Sequence, residues 1–131
     1  MISLELAGRV AAHLAGRGSS WQPVSGDRFM FPDRDIDQVF VVSEMTIEVA
    51  DLPSGRLIRF NGTTEWALDS TPADDVVWLP WEHQLRGLLA DRFVALARAE
   101  EGWVVTRTDG TRHAAADPED AYALAVVDVV G

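Results

Sequence analysis

The sequence predicts an α+β fold, an antiparallel β-meander with an N-terminal helix, a middle helix and a C-terminal helix. Apolar residues recur at helical spacing near both ends of the chain, and short runs rich in Val, Ile, Phe and Thr lie between them. Tight-turn signals such as Asn61-Gly62 separate these runs, and strands joined by short turns pair antiparallel. A chain of 131 residues has the length of one domain, so we expect residues 1–131 to form a single domain.

The first helix is predicted over residues 3–14. Ser3 is placed to cap its N-terminus, and Glu5 lies in the first turn, where the helix dipole favours a carboxylate. Gly16 is placed to end it. His13 lies beside the apolar stripe with no second metal ligand one turn away, so we expect it at the surface or half-buried. The stripe itself consists of Leu4, Leu6, Ala7, Val10, Ala11 and Leu14.

The meander is predicted to run from Arg28 to Leu68, with its first strands at residues 28–31, 38–43 and 45–50. A turn at residues 52–55 fixes the register of the next hairpin, because it sets apolar residues opposite apolar residues and an acid opposite a base. The predicted pairs are Val49 with Ile58, Ile47 with Phe60, and Glu48 with Arg59.

The Asn61-Gly62 turn is predicted to lead into a further strand that carries Trp66. A bulged turn sets Ile58 opposite Trp66 and keeps the apolar residues on one face, whereas a two-residue turn sets Ile58 opposite Glu65. Residues 70–75 then read as a loop and residues 76–79 as a short buried strand.

Pro80 fits the first turn of the middle helix, which we expect to extend to about residue 90. Residues 93–99 allow two interpretations, because their apolar spacing continues the helix and also suits a strand. We favour the strand, since the apolar run at residues 103–107 needs a pairing partner. A turn at Asp109-Gly110 leads to a last strand at residues 111–115.

The C-terminal helix has the clearest start signals. Asp117 suits the N-cap, Pro118 the first helical position, and Glu119 and Asp120 the first turn. The residues predicted to face inward are Ala121, Leu124, Ala125 and Val129.

The charge balance and the missing residue types argue against several classes of function. The chain has 21 acidic and 11 basic residues, all of the basic ones arginine, and a net charge of −10. This charge disfavours contact with a phosphate backbone, so we expect no nucleic-acid partner. Without Cys or Lys there is no thiol nucleophile, thiolate metal site, Schiff-base lysine or P-loop lysine. We therefore expect no cofactor and no metal site.

Hydropathy and the first residues argue against a membrane role. No run approaches the roughly 18 consecutive apolar residues of a membrane span. The first residues lack the basic start and apolar centre of a signal peptide. We expect a cytoplasmic protein without a membrane partner.

An acidic turn offers one route to an enzyme. Asp33, Asp35 and Glu44 mimic part of a calcium-binding loop, and paired carboxylates can also serve acid–base chemistry. Gln38 stands where such a loop needs glycine, and strand residues follow it. An acid-based or metal-dependent hydrolase using this region is the alternative to a binding function.

The tryptophans favour a binding function. Trp78 and Trp81 flank a tight corner from which both indoles cannot easily point inward, and aromatic residues are enriched at protein interfaces. The candidate binding surface is Trp81 with Leu85, and Trp78 is expected to be the buried member. We therefore expect a non-catalytic protein-interaction module with a protein partner or a homodimer. An immunity-type or inhibitor protein for a basic partner is the nearest rival.

Segments spread over nearly the whole chain carry a resemblance: Gly26-Asp27-Arg28-Phe29, Pro32-Asp33-Arg34-Asp35, Glu44-Met45-Thr46, residues 60–70, Trp78-Leu79-Pro80 and Gln84-Leu85-Arg86. On these residues the chain resembles a family of small acidic actinobacterial proteins of unknown function, often labelled pilus-assembly proteins. A pilus-assembly ATPase needs a lysine in its phosphate loop, which this chain lacks. The resemblance therefore implies at most a pilus-assembly neighbourhood or partner, and it implies no catalytic residues.

Overall fold

The computed structural model describes residues 1–32, 39–42, 45–52, 55–62, 70–72 and 76–130. Backbone contacts divide the chain into two compact units. We call Met1–Ser19 together with Leu79–Gly131 the terminal unit, and Ser20–Trp78 the central unit.

The described elements confirm the α+β class, with an N-terminal, a middle and a C-terminal helix. The helices are α1 (Leu4–Gly16), α2 (Glu82–Leu89) and α3 (Pro118–Val127). The strands are β1 (Arg28–Met30), β2 (Phe40–Val41), β3 (Met45–Leu52), β4 (Gly55–Gly62), β5 (Ser70–Pro72), β6 (Val77–Trp78), β7 (Phe93–Ala99), β8 (Gly102–Arg107) and β9 (Arg112–Ala115). They form three antiparallel sheets in the orders β2-β1-β6, β3-β4-β5 and β7-β8-β9.

Helix α1 begins as predicted and buries a narrower stripe than predicted. The Ser3 hydroxyl accepts a hydrogen bond from the Leu6 N–H at 3.3 Å. Ala7 and Val10 are the fully buried residues of the helix, and they lie on one face, three residues apart. Leu4, predicted to face inward, is 41% exposed. The helix therefore contributes one narrow contact line to the core, with its other sides toward solvent.

Helix α3 is the centre of the terminal unit. It packs against α1, α2, β8 and β9. Ala121, Tyr122, Ala123, Ala125 and Val126 are all buried, so consecutive residues on different sides of the helix are covered. Of the residues predicted to face inward, Ala121, Ala125 and Val129 are buried and Leu124 is half-buried. The single predicted face was too narrow, because other elements cover more than one side of the helix.

Carboxylates in the first turn of α3 bind the backbone that leads into α1. The Ile2 N–H donates to Glu119 Oε1 at 2.8 Å, and the Ser3 N–H donates to Asp120 Oδ1 at 2.7 Å. These amides precede or begin a helix and have no partner within it. These hydrogen bonds hold the start of α1 against the first turn of α3. Asp117 caps α3 itself, by accepting a hydrogen bond from the Glu119 N–H at 2.8 Å.

Helix α2 starts two residues later than Pro80, the residue predicted in its first turn. Trp81 is the N-cap, and its N–H donates to Gln84 Oε1 at 2.9 Å. The indole has no oxygen with which to cap the helix in return, so only this half of a capping box forms. Ala90 ends the helix with φ 52°, and the turn Ala90–Arg92 then leads directly into β7.

The strand interpretation of residues 93–99 is confirmed. Strand β7 pairs with β8 across a hairpin, with Leu96 opposite Val105 and Ala97 opposite Val104. A bulge lies between Phe93 and Ala95. It allows Phe93, which stacks on Tyr122 of α3 at 5.6 Å, and Leu96, three residues later, to lie on the same face of the sheet.

The central unit contains two of the sheets. Strand β1 pairs with β2 and β6, and Phe29 and Phe31 pack there with Val42 and Val76 in a hydrophobic cluster. Strands β1 and β2, and strands β3 and β4, pair antiparallel with their neighbours in the chain, as expected of the meander predicted between Arg28 and Leu68. Among the described strands these two pairs belong to different sheets, and the sheet of β1 is closed by a strand from later in the chain, β6. Its pairing depends on long-range packing, which local sequence patterns do not encode.

The β3–β4 hairpin has the predicted register. The pairs Val49 with Ile58, Ile47 with Phe60 and Glu48 with Arg59 are all confirmed. On its other side β4 pairs with β5, where Ile58 lies opposite Thr71, within the stretch interpreted as a loop. Residues 63–69, with Trp66 among them, lie outside the described residues.

Two glycines should respond in opposite directions to substitution by alanine. Gly102 has φ 135°, and a Cβ there would lie 2.8 Å from Ala116 Cα and overlap the Ala115 carbonyl oxygen. We expect Gly102→Ala to lower the free energy of unfolding by about 2 to 4 kcal/mol. Gly87 lies inside α2 with open space around it, so Gly87→Ala should raise stability by up to about 1 kcal/mol. Urea unfolding of both variants measures the difference, and equal effects would contradict the β8–β9 geometry.

Candidate functional site

The residues proposed from sequence fall in different parts of the chain. Asp33, Asp35 and Glu44, the candidate hydrolase residues, lie outside the described residues. Trp78 belongs to the central unit, whereas Trp81 and Leu85 belong to the terminal unit. The binding role assigned to these three residues stays a prediction.

Trp81 and Leu85 differ in their access to solvent. Trp81 is half-buried at the start of α2, so part of its indole can reach a partner. Leu85 has an exposed fraction of 0%, and it is a core residue beneath the helix. The expectation that Leu85 forms a surface with Trp81 is therefore corrected, because the inward stripe of α2 carries it into the core.

Trp78 is part of an aromatic cluster in the central unit. Its ring stacks on Trp21 with centroids 6.3 Å apart and planes 5° from parallel. Trp21 in turn donates from Nε1 to Asp27 Oδ2 at 2.8 Å. Trp78 is half-buried as a residue, and its Nε1 is shielded from solvent and has no hydrogen-bond partner among the described residues. This packing gives Trp78 a structural role in its own unit.

The edge strand β7 of the terminal unit is largely exposed. It pairs with β8 on one side and is the last strand of its sheet on the other. Val94 is 54% exposed, and the residues that follow it, apart from half-buried Leu96, are exposed to the end of the strand. The outer backbone groups of such a strand have the geometry to pair with a further strand.

The sheet face opposite α3 is lined by small residues. Ala95 and Ala97 of β7 and Ala114 of β9 are exposed there, on either side of Val104 in the central strand. Val105, the next residue of β8, faces α3 and is fully buried. Small side chains on this face allow a partner's larger side chains to approach the sheet closely.

A charged network holds the other end of the same sheet to α3. The Arg107 side chain, 8% exposed, donates to the Ala125 carbonyl oxygen at 3.2 Å and to Asp109 Oδ2 at 2.5 Å. Asp128 Oδ2 lies 3.4 Å from Arg107 Nη1 and 3.5 Å from His113 Nε2. Both terminal nitrogens of the buried guanidinium, Nη1 and Nη2, thus face acceptors, which lowers the cost of burying its charge.

Two concave regions adjoin this network. An open cleft of about 360 Å³ is lined by Arg92, Arg107, Thr108, Asp109, Asp128, Val129 and Val130. A smaller cavity of about 70 Å³ has Leu14, Leu88, Val126 and Val129 in its wall, with His13, Arg17 and Arg92 around them. His13 is half-buried there, as predicted. Among the described residues, no group of three or more His, Cys, Asp or Glu could hold a metal ion.

Comparison with protein families, with curated proteins and with solved structures finds no match to this chain. Within the described ranges, no helix has both the length and the hydrophobicity of a membrane span. No similar protein therefore assigns a role to residues of this chain, and the candidate binding site rests on the geometry of the chain itself.

The open edge of β7 was not identified from sequence. The signal was the alternation of alanine with larger residues at positions 95–99, which marks a strand with one bulky and one small-residue face. Which strand lies at the edge of a sheet is a property of topology, and the sequence pattern of one strand does not contain it.

The charged network predicts a pH dependence of stability. Hydrogen bonds from the Arg107 guanidinium, and then from Thr111, hold the pKa of Asp109 well below its usual range. A carboxyl whose pKa is lower in the folded state stabilises the fold at neutral pH, and this contribution is lost as the pH falls below about 4. We expect Asp109→Asn to lower the Tm at pH 7. The decrease of Tm between pH 7 and acidic pH should then be smaller in this variant than in the wild type.

Asp91→Asn is the matched control, since Asp91 is exposed and makes no hydrogen bond or ion pair in the described part of the chain. Thermal unfolding of both variants from pH 7 to pH 2 would measure the effect. Parallel curves for Asp109→Asn and the wild type would show that the network is not formed in solution.

Proposed function

We propose that this protein is a non-catalytic protein-interaction module that binds an extended segment of a partner along β7. The observation that carries the proposal is the edge position of β7, a seven-residue strand that is paired on one side and exposed over most of its length. Extended segments add to such edges by main-chain hydrogen bonds, and alternate side chains then supply the specificity.

The side chains around β7 favour an apolar segment with a regular alternation. On one face, Ala95 and Ala97 leave room for larger side chains next to Val104. On the other, Leu96 is half-buried and extends the apolar surface toward the edge. A segment alternating bulky apolar with smaller residues would bury surface on both faces, and each buried apolar side chain contributes about 1.5 to 3 kcal/mol.

For a partner that is a different protein, the net charge of −10 favours basic residues beside the paired segment, because complementary fields accelerate encounter and discourage wrong partners. An immunity-type or inhibitor role for a basic partner is one form of the same binding function. A pilus-assembly context is proposed on the sequence resemblance alone. Trp81, half-buried at the start of α2, remains a candidate anchor for a second contact.

Strand addition can be tested with peptides and a matched pair of variants. Extended peptides selected from a random library against the isotope-labelled protein should shift and protect the backbone amides of residues 94–99 in NMR spectra. Ala97→Asp should weaken peptide binding about tenfold, since it places a charge beside the apolar contact. Ala114→Asp makes the same change on the same face but next to the opposite edge of the sheet, and should have little effect.

Peptides that shift the Trp81 indole or the residues around the 360 Å³ cleft, and leave β7 unchanged, would move the binding site elsewhere. Equal losses of affinity in both aspartate variants would likewise contradict binding at the β7 edge. The free energy of unfolding of each variant is measured in parallel, so that a folding defect is recognised as such.

A further inference from the structure

We infer that the partner at the β7 edge is a second copy of this chain, paired antiparallel with it about a two-fold axis near Leu96. The inference rests on the function proposed above and names its occupant. Pairing two copies of β7 would join two three-stranded sheets into one of six strands, with the two copies of α3 on the same side. Such an arrangement uses the β7 edge of both copies, so pairing through β7 closes at a dimer.

The length and composition of β7 suit pairing with itself. Full antiparallel overlap places the start of one strand beside the end of the other and brings the two Leu96 side chains together. Ala95 of each copy then lies beside Ala97 of the other, and these small side chains offer no steric obstacle to a close approach. The bulge next to Phe93 ends regular pairing there, so that a shifted overlap would lose contacts at one end.

The charge distribution favours the β7 edge as the site of self-association in this acidic chain. A net charge of −10 on each copy opposes self-association, so an interface must avoid further carboxylates. Strand β7 contains none, although the chain has 21 Asp and Glu residues. Its only charged residue is Arg98, whose guanidinium lies 5.7 Å from the centre of the Trp103 ring.

The residues that flank β7 are complementary when the strand pairs with itself. Arg92 immediately precedes the strand and Glu100 immediately follows it. Antiparallel overlap therefore brings Arg92 of one copy beside Glu100 of the second copy, and the two-fold symmetry forms this contact twice. The bulge displaces the two residues by one position along the strands, a distance that the long arginine side chain can span. Neither side chain makes an ion pair with the described part of its own chain.

The opposite edge of the sheet is less suited to the same role. Strand β9 has four residues, which is too short for an extensive strand pair. Its His113 lies 3.5 Å from Asp128, within the network that fixes the sheet to α3. Of the two edges, only β7 is both long and independent of that network.

Sedimentation velocity of the full chain tests the dimer directly. We expect a reversible monomer–dimer equilibrium in the micromolar range, since one added strand pair makes a small interface. Arg92→Glu and Glu100→Arg should each weaken the dimer about tenfold or more, because each replaces two attractions by two repulsions. The double variant, with the charges exchanged, should recover most of the affinity.

Matched controls separate this contact from a general effect of charge. Arg9→Glu and Glu5→Arg make the same changes in net charge at exposed positions of α1, and they should change the dimer Kd less than threefold, a shift of about 0.7 kcal/mol or less. Hydrogen exchange should show protection of residues 94–98 that increases with protein concentration. Circular dichroism confirms that each variant is folded.

Failure of the inference and failure of the proposed function give different results. A chain that stays monomeric at all concentrations, but whose β7 amides respond to the peptides above, retains the binding function and lacks the dimer. If the chain dimerises, but the Kd does not change in the charge variants and the β7 amides are not protected, the two-fold contact lies elsewhere and the inference is overturned. A monomer whose β7 amides respond to no peptide overturns both.

Discussion

The burial of helix α3 is the constraint on which the terminal unit depends. A helix in contact with α1, α2, β8 and β9 has little surface left for water, so its polar ends and neighbours must be paired within the protein. Asp117 caps its first turn, Glu119 and Asp120 bind the backbone before α1, and the Ala125 carbonyl receives Arg107. Tyr122, fully buried, places its hydroxyl 3.3 Å from Arg86 Nε, and burial raises its pKa.

Helix α3 packs against the face of the β7-β8-β9 sheet that carries Val105. On the opposite face Ala95, Ala97 and Ala114 are exposed, whereas Val104 between them is buried. Bulky apolar residues there would promote aggregation, whereas alanines reduce that risk and still permit a specific strand to dock. The proposed binding function thus uses a surface that the packing of α3 leaves open, and it requires no catalytic group.

The central unit is organised by aromatic contacts. Phe29 packs against Phe31, Phe40 and Trp21, with ring centroids 5.5 to 5.9 Å apart. Asp27 is buried beside this cluster and accepts hydrogen bonds from Trp21 Nε1 and the Val24 N–H, at 2.8 and 3.1 Å. These contacts account for the half-buried Trp21 and Trp78 as parts of an aromatic cluster, so that an abundance of tryptophan alone does not indicate a binding surface.

Local chemistry was readable from the sequence by itself. The caps Ser3 and Asp117, the hairpin register of β3 with β4 and the strand at residues 93–99 follow from contacts within a few residues or across one tight turn, and all were correct. Tertiary structure alone decided that β6 closes the sheet of β1 and that β7 is an edge. Each of these depends on which distant elements pack together, and the side-chain pattern of one segment does not determine which elements will lie next to it.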